Sequence, residues 1–345
     1  MQLPKILAML SIQPPIRGDH SLLELAKRRL GEVGVGGELY PGSPDHLLET
    51  ISFKPEGLPG IAHLPRGIDI LQAQGREQIV TYAKAAAGHL YGILLHDQRS
   101  FAENLENTLA ALDELDQSLS KLADPPLVFI EYAGGLEPDF FAQLFERNPD
   151  RQQVSACIDI SHVAIYVCRQ NFANQHPQQD VCSFHPNTPG LYDKMDDILT
   201  AMRGAKLQVL ELINRLANLG NPLHFHLHDG HPLSTLSEFG VSDHLSFLQK
   251  IRLPFSVNGN QCVGGIFGLD GLDKVIDTAM KKLPASKLSF TIEVHPQPGQ
   301  TPLNEHSPLF QHWKNIENAE HMNYWLDCLI NNATVVRNAC ERRQN

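Results

Sequence analysis

The sequence lacks the features that mark membrane-spanning chains and nucleic-acid binders. No apolar run approaches the roughly 20 residues that a helix needs to cross a bilayer. No cluster of lysine and arginine stands out, and the formal net charge is −11, whereas a dedicated nucleic-acid binder presents a basic surface to phosphates. The sequence therefore predicts neither a membrane nor a nucleic acid as a partner.

Cysteines are few, and none of them form a CxxC pair. The six are Cys157, Cys168, Cys182, Cys262, Cys328 and Cys340. A chain of 345 residues can bury a large hydrophobic core without disulfide bonds, so we expect reduced thiols in a cytoplasmic protein. The apolar N-terminal stretch Met1–Gln13 is short and has no small-residue cleavage site, which favours a first strand over a signal peptide.

Short apolar runs alternate with longer amphipathic stretches along the chain. The predicted strands are Lys5–Ile12, Val35–Tyr40, Gly60–Leu64, Tyr91–His96, Leu127–Tyr132, Val154–Ile160, Leu223–Asp229 and Leu288–His295. Eight strands that alternate with helices predict an α/β fold in which a parallel sheet closes into a (β/α)₈ or TIM barrel. The alternative, an open doubly wound sheet, is disfavoured because residues 11–15 read Ser-Ile-Gln-Pro-Pro where that fold places a glycine-rich turn.

The helix signals agree with a barrel. The predicted helices are Ser21–Leu30, Gly75–Leu90, Ser100–Leu122 and Thr200–Leu219. Asp45 and Ser100 are predicted N-caps, and Glu103 completes a capping box with Ser100. We expect one domain over residues 1–345, with the barrel core at about 5–295 and a closing helix at Asn315–Arg337.

Two stretches are longer than a minimal barrel requires. Tyr166–Asp196 is polar, and Pro232–Gly271 is rich in glycine and serine and contains a predicted short helix at Asp243–Ile251. Both follow predicted strands on the side where barrel enzymes bind their substrates. We expect extended loops there that decide the specificity.

Residue types that bind metals stand at or near the ends of several predicted strands. They are His63, His96, Glu131, Asp159, His162, His224, His226, His228, Asp229, Glu293 and His295. Alternate side chains of a strand share a face, and the C-terminal ends of barrel strands meet in one layer. One histidine at such a place is often only a hydrogen-bonded core residue, but several unpaired buried carboxylates would be costly. The joint pattern predicts a divalent-metal site, and its donors suit zinc or manganese, with cobalt, iron or magnesium as alternatives.

These motifs resemble those of the xylose-isomerase-like barrel superfamily, which includes sugar isomerases, sugar epimerases and endonuclease IV. The resemblance runs from residue 63 to residue 293. Residues 157–162 (Cys-Ile-Asp-Ile-Ser-His) are similar to the family's Asp-x-x-His signature, and residues 226–229 (His-Leu-His-Asp) to its His-Leu-x-Asp strand end. Ile130-Glu131 and Thr291-Ile292-Glu293 resemble the segments that carry its two metal-bridging glutamates. The resemblance implies a metal site formed by Glu131, Asp159, His226 and Glu293.

The endonuclease IV branch implies further metal ligands. His63, His96 and His162 lie where its additional histidines are expected, and His244 is the nearest candidate for a later ligand pair. Asp229 is another candidate ligand. Tyr132 replaces an asparagine of that branch's Glu-Asn-x-Ala-Gly, and Leu64–Gly67 replace its DNA-inserting loop. These departures favour a substrate other than DNA.

The resemblance implies two enzyme classes. The first, which we favour at this point, is an isomerase or epimerase for a sugar or related polyol: Glu131 and Glu293 would move a proton beside the metal, and His162 would orient a substrate oxygen. The second is a multi-zinc phosphoester hydrolase, which needs more ligands, so the number of bound metals distinguishes the two. A non-catalytic metal-binding or sugar-binding barrel is a third alternative.

The expected partner is a small carbohydrate, and assembly into a homo-oligomer is compatible with the sequence. Arg66, Arg99 and Arg169 follow predicted strands and are candidates to bind a phosphate or carboxylate of the substrate. For each arginine, a solvated surface charge or a structural ion pair is the alternative.

Overall fold

The polypeptide forms a closed barrel of eight parallel strands with helices around it. The computed structural model describes residues 2–10, 19–184, 188–237, 240–241, 243–248, 252–257, 260–263, 265–296 and 318–344. The barrel strands are β1 (Lys5–Met9), β2 (Gly36–Leu39), β3 (Gly60–His63), β4 (Gly92–His96), β5 (Leu127–Glu131), β6 (Val154–Asp159), β7 (Leu223–Leu227) and β13 (Leu288–Ile292). Each pairs with the next in parallel, and β13 pairs with β1 to close the ring. The predicted α/β barrel architecture is confirmed.

Helices pack around this ring and follow most of the strands. They are α1 (His20–Glu32), α2 (Leu47–Ser52), α3 (Ala73–Ala86), α4 (Ser100–Glu103), α5 (Leu105–Leu119), α6 (Pro138–Glu146), α7 (Ile160–Gln175), α8 (Met195–Ala217), α9 (Gly268–Met280) and α10 (Ala319–Arg342). Short strands outside the barrel are β8 (Leu236–Ser237), β9 (Gly240–Val241), β10 (Asp243–His244), β11 (Arg252–Val257), β12 (Asn260–Val263) and β14 (His295–Pro296). None of the described helices is both long and apolar enough to cross a membrane.

The strand register brings metal-binding residue types to one level of the barrel. His96 at the end of β4 is paired with Glu131 at the end of β5. Asp159 at the end of β6 is paired with His226 in β7. Because parallel neighbours end at the same edge of a sheet, these side chains meet at the C-terminal mouth.

An apolar layer closes the lumen below that mouth. Leu7, Ile61, Leu94, Phe129 and Cys157 form a small buried cluster of their own, separate from the larger core between strands and helices. The cluster fills the barrel as layered side chains do in this architecture. The polar residues above it therefore rest on a packed floor.

The predicted single helix Ser100–Leu122 is wrong, because the structure has two helices there, α4 and α5. Asn104 has an extended backbone and its side chain accepts a hydrogen bond from the Asn107 amide, so it ends α4 and caps α5. Ser100 is not a cap, because Arg99 precedes the first helical residue and makes no capping hydrogen bond. Asp45 is not a cap either, since His46 precedes α2 and no side chain caps that helix. A local asparagine hydrogen bond therefore divides the predicted helix in two.

The predicted loop Tyr166–Asp196 is partly helical. Helix α7 continues to Gln175, because Val167, Cys168 and Phe172 are buried against the core on one of its faces. The predicted short helix Asp243–Ile251 is also wrong. Asp243 and His244 form β10, which pairs with β14, and residues 249–251 lie outside the described part of the chain.

The last predicted strand ends earlier than expected. Strand β13 stops at Ile292, and His295 belongs to the antiparallel pair of β10 and β14. The first strand ends at Met9, and Ile12, its predicted end, lies outside the described residues. Cys157, Cys168, Cys182, Cys328 and Cys340 are free thiols.

The closing helix α10 supports the mouth of the barrel. The Trp325 indole donates a hydrogen bond to the Val294 carbonyl at 2.7 Å, directly after Glu293. Asn332 accepts from the Phe247 amide at 3.2 Å and donates to the Ser246 hydroxyl at 2.8 Å, which fixes the segment that follows His244. The helix was predicted over Asn315–Arg337; residues 315–317 lie outside the described part.

Candidate metal centre

Four side chains from four strand ends form the central group of this site. Donor atoms of Glu131, Asp159, His226 and Glu293 lie within 4.8 Å of one another, and all four side chains are buried. Nδ1 of His226 lies 2.8 Å from Glu293 Oε2, 3.3 Å from Glu131 Oε1 and 4.0 Å from Asp159 Oδ2. The structure thus brings together the four residues that the sequence motifs predicted.

A second group flanks the centre on the side of β3 and β4. It consists of His63, His96 and Glu131. The two Nε2 atoms of the histidines are 3.1 Å apart, and they lie 3.2 Å and 3.3 Å from Glu131 Oε2. Glu131 therefore presents one oxygen to this group and the other to His226.

A third group flanks the opposite side. It consists of Asp159, His162, His228 and His244. Asp159 Oδ2 lies 3.0 Å from His228 Nε2 and 3.4 Å from His162 Nε2, and the latter lies 3.4 Å from His244 Nε2. A fourth, smaller group joins His244 and His295 to Glu293 Oε1, at 3.5 Å and 3.3 Å.

The groups share carboxylates rather than standing apart. Glu131, Asp159 and Glu293 each belong to the central group and to one flanking group. A carboxylate has two oxygens and several lone pairs, so it can bridge neighbouring cations. The ligand groups therefore overlap across the mouth of the barrel, because each flanking group shares a carboxylate with the central group.

The orientation of the imidazoles fits metal ligation. His63 and His228 each place Nδ1 at 3.1 Å from a backbone carbonyl, of Leu64 and of Asp229. A carbonyl only accepts, so in the neutral ring the proton sits on Nδ1 and Nε2 turns a lone pair towards the carboxylates. Ligating histidines characteristically hold their other nitrogen in this way.

The centre of the row also fits a cation. His226 Nδ1 and Glu293 Oε2 are close, yet neither has a partner in hydrogen-bond geometry among the described residues. Buried polar atoms without partners are costly, and a cation between them would remove the cost. Imidazole and carboxylate donors suit zinc, manganese, cobalt or iron.

Glu38 on β2 is part of the site, although the sequence analysis missed it. Its Oε2 accepts from Thr291 at 2.7 Å and lies 3.2 Å from His226 Nε2. Burial opposes its ionisation, but the His226 charge and hydrogen bonds from His224 and His226 lower the pKa of Glu38 to about 2. Glu38 thus holds His226 with Nδ1 directed at the central group. The sequence did contain a signal for Glu38: a glutamate in the buried segment Gly36–Leu39 is costly unless it is paired, and the same argument selected Glu131.

Asp229, a candidate ligand in the sequence, belongs to none of the groups of described residues that could hold a metal. Its Oδ1 accepts backbone N–H bonds from Gly230 and Phe267, and its Oδ2 accepts one from Gly268, each at 2.9 Å. Both oxygens are therefore occupied in holding the start of α9. His228 and His295, which were noted on their strands but not assigned as ligands, belong to the flanking groups instead.

Electrostatics keep Glu131 and Glu293 ionised. Burial opposes ionisation of Glu131 and Glu293, but the positive charge of His226 holds the pKa of each carboxyl well below its ordinary value. Burial lowers the pKa of His96, His162 and His244, so these rings are neutral near pH 7. Burial opposes protonation of His226 and His228, but Glu38 raises the pKa of His226 and Asp159 raises that of His228, so metal binding would displace a proton from these two rings.

The three candidate arginines lie around the mouth. Arg66 and Arg99 line a cleft of about 370 Å³ that also contains His96. Arg99 and Arg169 line a neighbouring cleft of about 390 Å³. Arg169 forms an ion pair with Asp180, which was the alternative to substrate binding for this arginine.

Comparison with known proteins adds no assignment. No protein-family model matches the chain. No curated protein matches its sequence significantly. The resemblance to the xylose-isomerase-like superfamily and the roles of Glu131, Glu293 and His162 therefore stay predictions.

Proposed function

We propose that this protein is a metal-dependent phosphoester hydrolase that uses more than one cation. The observation that carries the proposal is the sharing of Glu131, Asp159 and Glu293 between neighbouring ligand groups. A mononuclear site needs about four protein donors. Nine side chains contribute donors to the central and two main flanking groups, and three bridging carboxylates are typical of sites for adjacent cations.

The chain's own residues have three tasks in such a reaction. The carboxylates and imidazoles hold the cations, Glu38 and two backbone carbonyls orient the imidazoles, and the packed lumen below excludes water. When bound, the cations would supply Lewis acidity for a water nucleophile and for the phosphate oxygens. Hydrolysis then adds hydroxyl to phosphorus and a proton to the departing ester oxygen.

The proposed substrate is a small phosphorylated carbohydrate rather than a polymer. The net charge of −11 would repel a polyanion. The loop between β3 and α3, residues 64–72, is also short for a segment that inserts into a duplex.

A sugar isomerase or epimerase is the second candidate. It is favoured by the central group alone, where Glu131 and Glu293 approach His226 Nδ1 from two strands, at 3.3 Å and 2.8 Å. Two carboxylates beside one cation can move a proton between neighbouring carbons of a substrate by acting as general base and general acid. An isomerase with one cation would give no role to His63, His96, His228 and His244.

The test compares turnover by protein reconstituted with zinc or manganese. Small phosphomonoesters and phosphodiesters form one panel, and aldose–ketose pairs form the other. We expect phosphate release, reduced at least about 100-fold in His96→Ala and unchanged in the control His89→Ala, an exposed histidine between α3 and β4. Sugar isomerisation that survives in His96→Ala, with no phosphate release, would overturn the hydrolase proposal in favour of the isomerase.

A further inference from the structure

His224 is a fully buried residue of the barrel lumen that belongs to neither the central nor the flanking ligand groups. It lies on β7, which pairs with β13 so that Ser289 stands beside His224 and Thr291 stands beside His226. Alternate residues of a strand share a face, so these four side chains form two levels of the same lumen wall. The His224 ring contacts Phe129 of the apolar floor, at 5.3 Å between ring centroids.

A continuous series of polar contacts joins His224 to His226. Nδ1 of His224 lies 2.8 Å from Ser289 Oγ, and its Nε2 lies 3.2 Å from Thr291 Oγ1. Thr291 Oγ1 lies 2.7 Å from Glu38 Oε2, and this oxygen lies 3.2 Å from His226 Nε2. The series therefore ends on the imidazole whose other nitrogen faces the central group.

The charge of Glu38 sets the direction of these hydrogen bonds. An ionised carboxylate only accepts, so the single hydroxyl proton of Thr291 is donated to Glu38. Thr291 Oγ1 therefore accepts from His224, which must carry a proton on Nε2. Burial lowers the pKa of His224, so the ring is neutral near pH 7 and its Nδ1 accepts from Ser289. The competing acceptor for the Ser289 proton, the Leu223 carbonyl, is farther away at 3.5 Å.

The opposite tautomer of His224 would weaken the hold on Glu38. With its proton on Nδ1, the ring would present a lone pair at Nε2 and would accept the Thr291 proton. A buried oxygen of Glu38 would then lose a hydrogen bond. His224 Nε2 also lies 3.5 Å from Glu38 Oε2, where a proton attracts the carboxylate and a lone pair repels it. The orientation of Glu38 is thus coupled to the proton on His224 Nε2.

A cation is the alternative partner of His224 at this level of the lumen. Donor atoms of His224, His226 and Cys157 lie close enough together to hold one. Both nitrogens of the His224 ring already have hydrogen-bond partners, however, which favours hydrogen bonding over ligation. Burial also raises the pKa of the Cys157 thiol well above its ordinary value, and a thiol must lose its proton to bind a metal. The two alternatives require opposite states of His224 Nε2: protonated for the hydrogen bond and bare for a cation.

We propose that His224 is a positioning residue of the metal centre, which acts through Thr291 and Glu38 to direct Nδ1 of His226 at the cation. Ser289 supports the required tautomer from the other side of the His224 ring. The inference rests on the proposed function, because it takes His226 as a metal ligand. It does not depend on which reaction the metal centre performs.

The tautomer of His224 is measurable by proton–nitrogen correlation NMR of isotopically labelled histidine, because protonated and bare ring nitrogens have well-separated shifts. The His224→Gln variant assigns the signals by removing them. We expect a protonated Nε2 and a bare Nδ1 on His224 at pH 7, in the metal-free protein and in the zinc-loaded protein alike. A proton on Nδ1, or zinc bound to Nε2 of His224, would overturn the proposal.

A matched pair of substitutions tests whether this tautomer matters for metal binding. The longer amide of His224→Gln still reaches Thr291 and donates to it, whereas the shorter amide of His224→Asn does not. We expect the zinc dissociation constant to rise about three- to tenfold in His224→Asn and less than about twofold in His224→Gln, since outer partners of a ligating histidine tune its affinity. Competition with a chromophoric chelator would measure the constants.

Thr291 offers a second matched pair. Thr291→Val removes the hydroxyl with little change in volume, so it should weaken zinc binding as His224→Asn does. Thr291→Ser keeps the hydroxyl and should keep most of the affinity. Thr81→Val, at an exposed threonine of α3, is the control and should leave zinc binding unchanged.

Equal zinc affinity of His224→Asn and His224→Gln would overturn the positioning role, whatever the tautomer. Urea unfolding would check the fold of each variant, and if His224→Asn does not fold, equal affinity of Thr291→Val and Thr291→Ser overturns the role in its place. Failure of the hydrolase alone has a different signature: the tautomer and the affinity differences are as expected, but no phosphoester is cleaved. Absence of zinc binding by the unaltered protein would overturn both proposals.

Discussion

At the scale of single residues, Glu38 decides which nitrogen of His226 faces the metal centre. An ionised carboxylate only accepts hydrogen bonds, so Glu38 holds the His226 proton on Nε2 and leaves the Nδ1 lone pair for the central group. Thr291 donates to the same oxygen and keeps the carboxylate in place. The buried polar network therefore belongs to the proposed metal site as well as to the barrel lining.

Replacing Glu38 should weaken metal binding without removing a ligand. We expect Glu38→Gln to raise the metal dissociation constant about 10- to 100-fold, because the amide holds the His226 proton less strongly and lowers the basicity of the ring. Competition with a chromophoric chelator would measure the constant. Glu56→Gln, at an exposed glutamate, is the matched control. An unchanged constant in Glu38→Gln would exclude this role for Glu38.

Asp97 should make the stability of the protein depend on pH. Burial raises the pKa of Asp97 to about 7, despite the Ala133, Gly135 and Leu136 amides that favour its ionised form. In the unfolded chain its pKa is about 4. Between these values the native state binds a proton that the unfolded state lacks, so this stabilisation is full below pH 4 and is lost as the pH rises through 7.

We therefore expect Asp97→Asn to stabilise the chelator-treated protein at pH 8. The amide oxygen still accepts from Ala133, and the cost of a buried charge is gone, which is worth up to about 4 kcal/mol. Urea unfolding at pH 5 and pH 8 would measure it, with a smaller gain at pH 5. The exposed Asp45→Asn is the control. A gain of the same size at both pH values would contradict the assignment to Asp97 titration.

The sequence predicted many residues of the site because strand ends meet at a barrel mouth. Glu131, Asp159, His226 and Glu293 were selected on this basis, and they do converge. Glu38 was missed because β2 is short and its glutamate stands before the strand end. Asp229 was also selected, because a strand-end aspartate that binds backbone amides looks, in sequence, like one that binds a metal.

At the scale of secondary-structure elements, Asp159 joins a strand, a helix and the metal centre. It ends β6, and its Oδ1 caps α7 by accepting from the Ser161 and His162 amides at 3.0 Å and 2.9 Å. Its Oδ2 faces His228. The cap fixes the carboxylate and also places His162 in the first turn of the helix.

The two oxygens of Asp159 can be separated by mutation. Asp159→Asn should keep the cap and lose metal affinity, whereas Asp159→Ala should lose both. In the chelator-treated protein, we expect Asp159→Ala to cost about 1 kcal/mol relative to Asp159→Asn, the usual value of an N-cap. Urea unfolding and metal analysis of both variants would test this. Equal stability of the two variants would refute the capping role, and full metal binding by Asp159→Asn would refute the ligand role.

Errors in the predicted elements have local physical causes. The amphipathic pattern correctly indicated helix over α5 but could not show that Asn104 would interrupt the predicted helix. The polar composition of Tyr166–Asp196 hid the buried face on which α7 continues. The pairing of β10 with β14 joins segments about 50 residues apart, which no local pattern in either segment reveals.

At the scale of the whole molecule, barrel closure determines which ligands become neighbours. The alternation of strands and helices was enough to predict the closed parallel ring. The register was not predictable, and it is the register that puts His96 beside Glu131 and Asp159 beside His226. The sharing of carboxylates between ligand groups is therefore visible only in three dimensions, and it favours the hydrolase over the isomerase.

The metal content of the folded protein tests the central claim most directly. Elemental analysis would follow reconstitution with zinc or manganese and removal of free metal, for the unaltered protein and for His96→Ala, His228→Ala and His89→Ala. The account predicts more than one equivalent per chain, with the content reduced by about one equivalent in His96→Ala and in His228→Ala and unchanged in His89→Ala. A single equivalent that is retained in both His96→Ala and His228→Ala, or no bound metal at all, would contradict it.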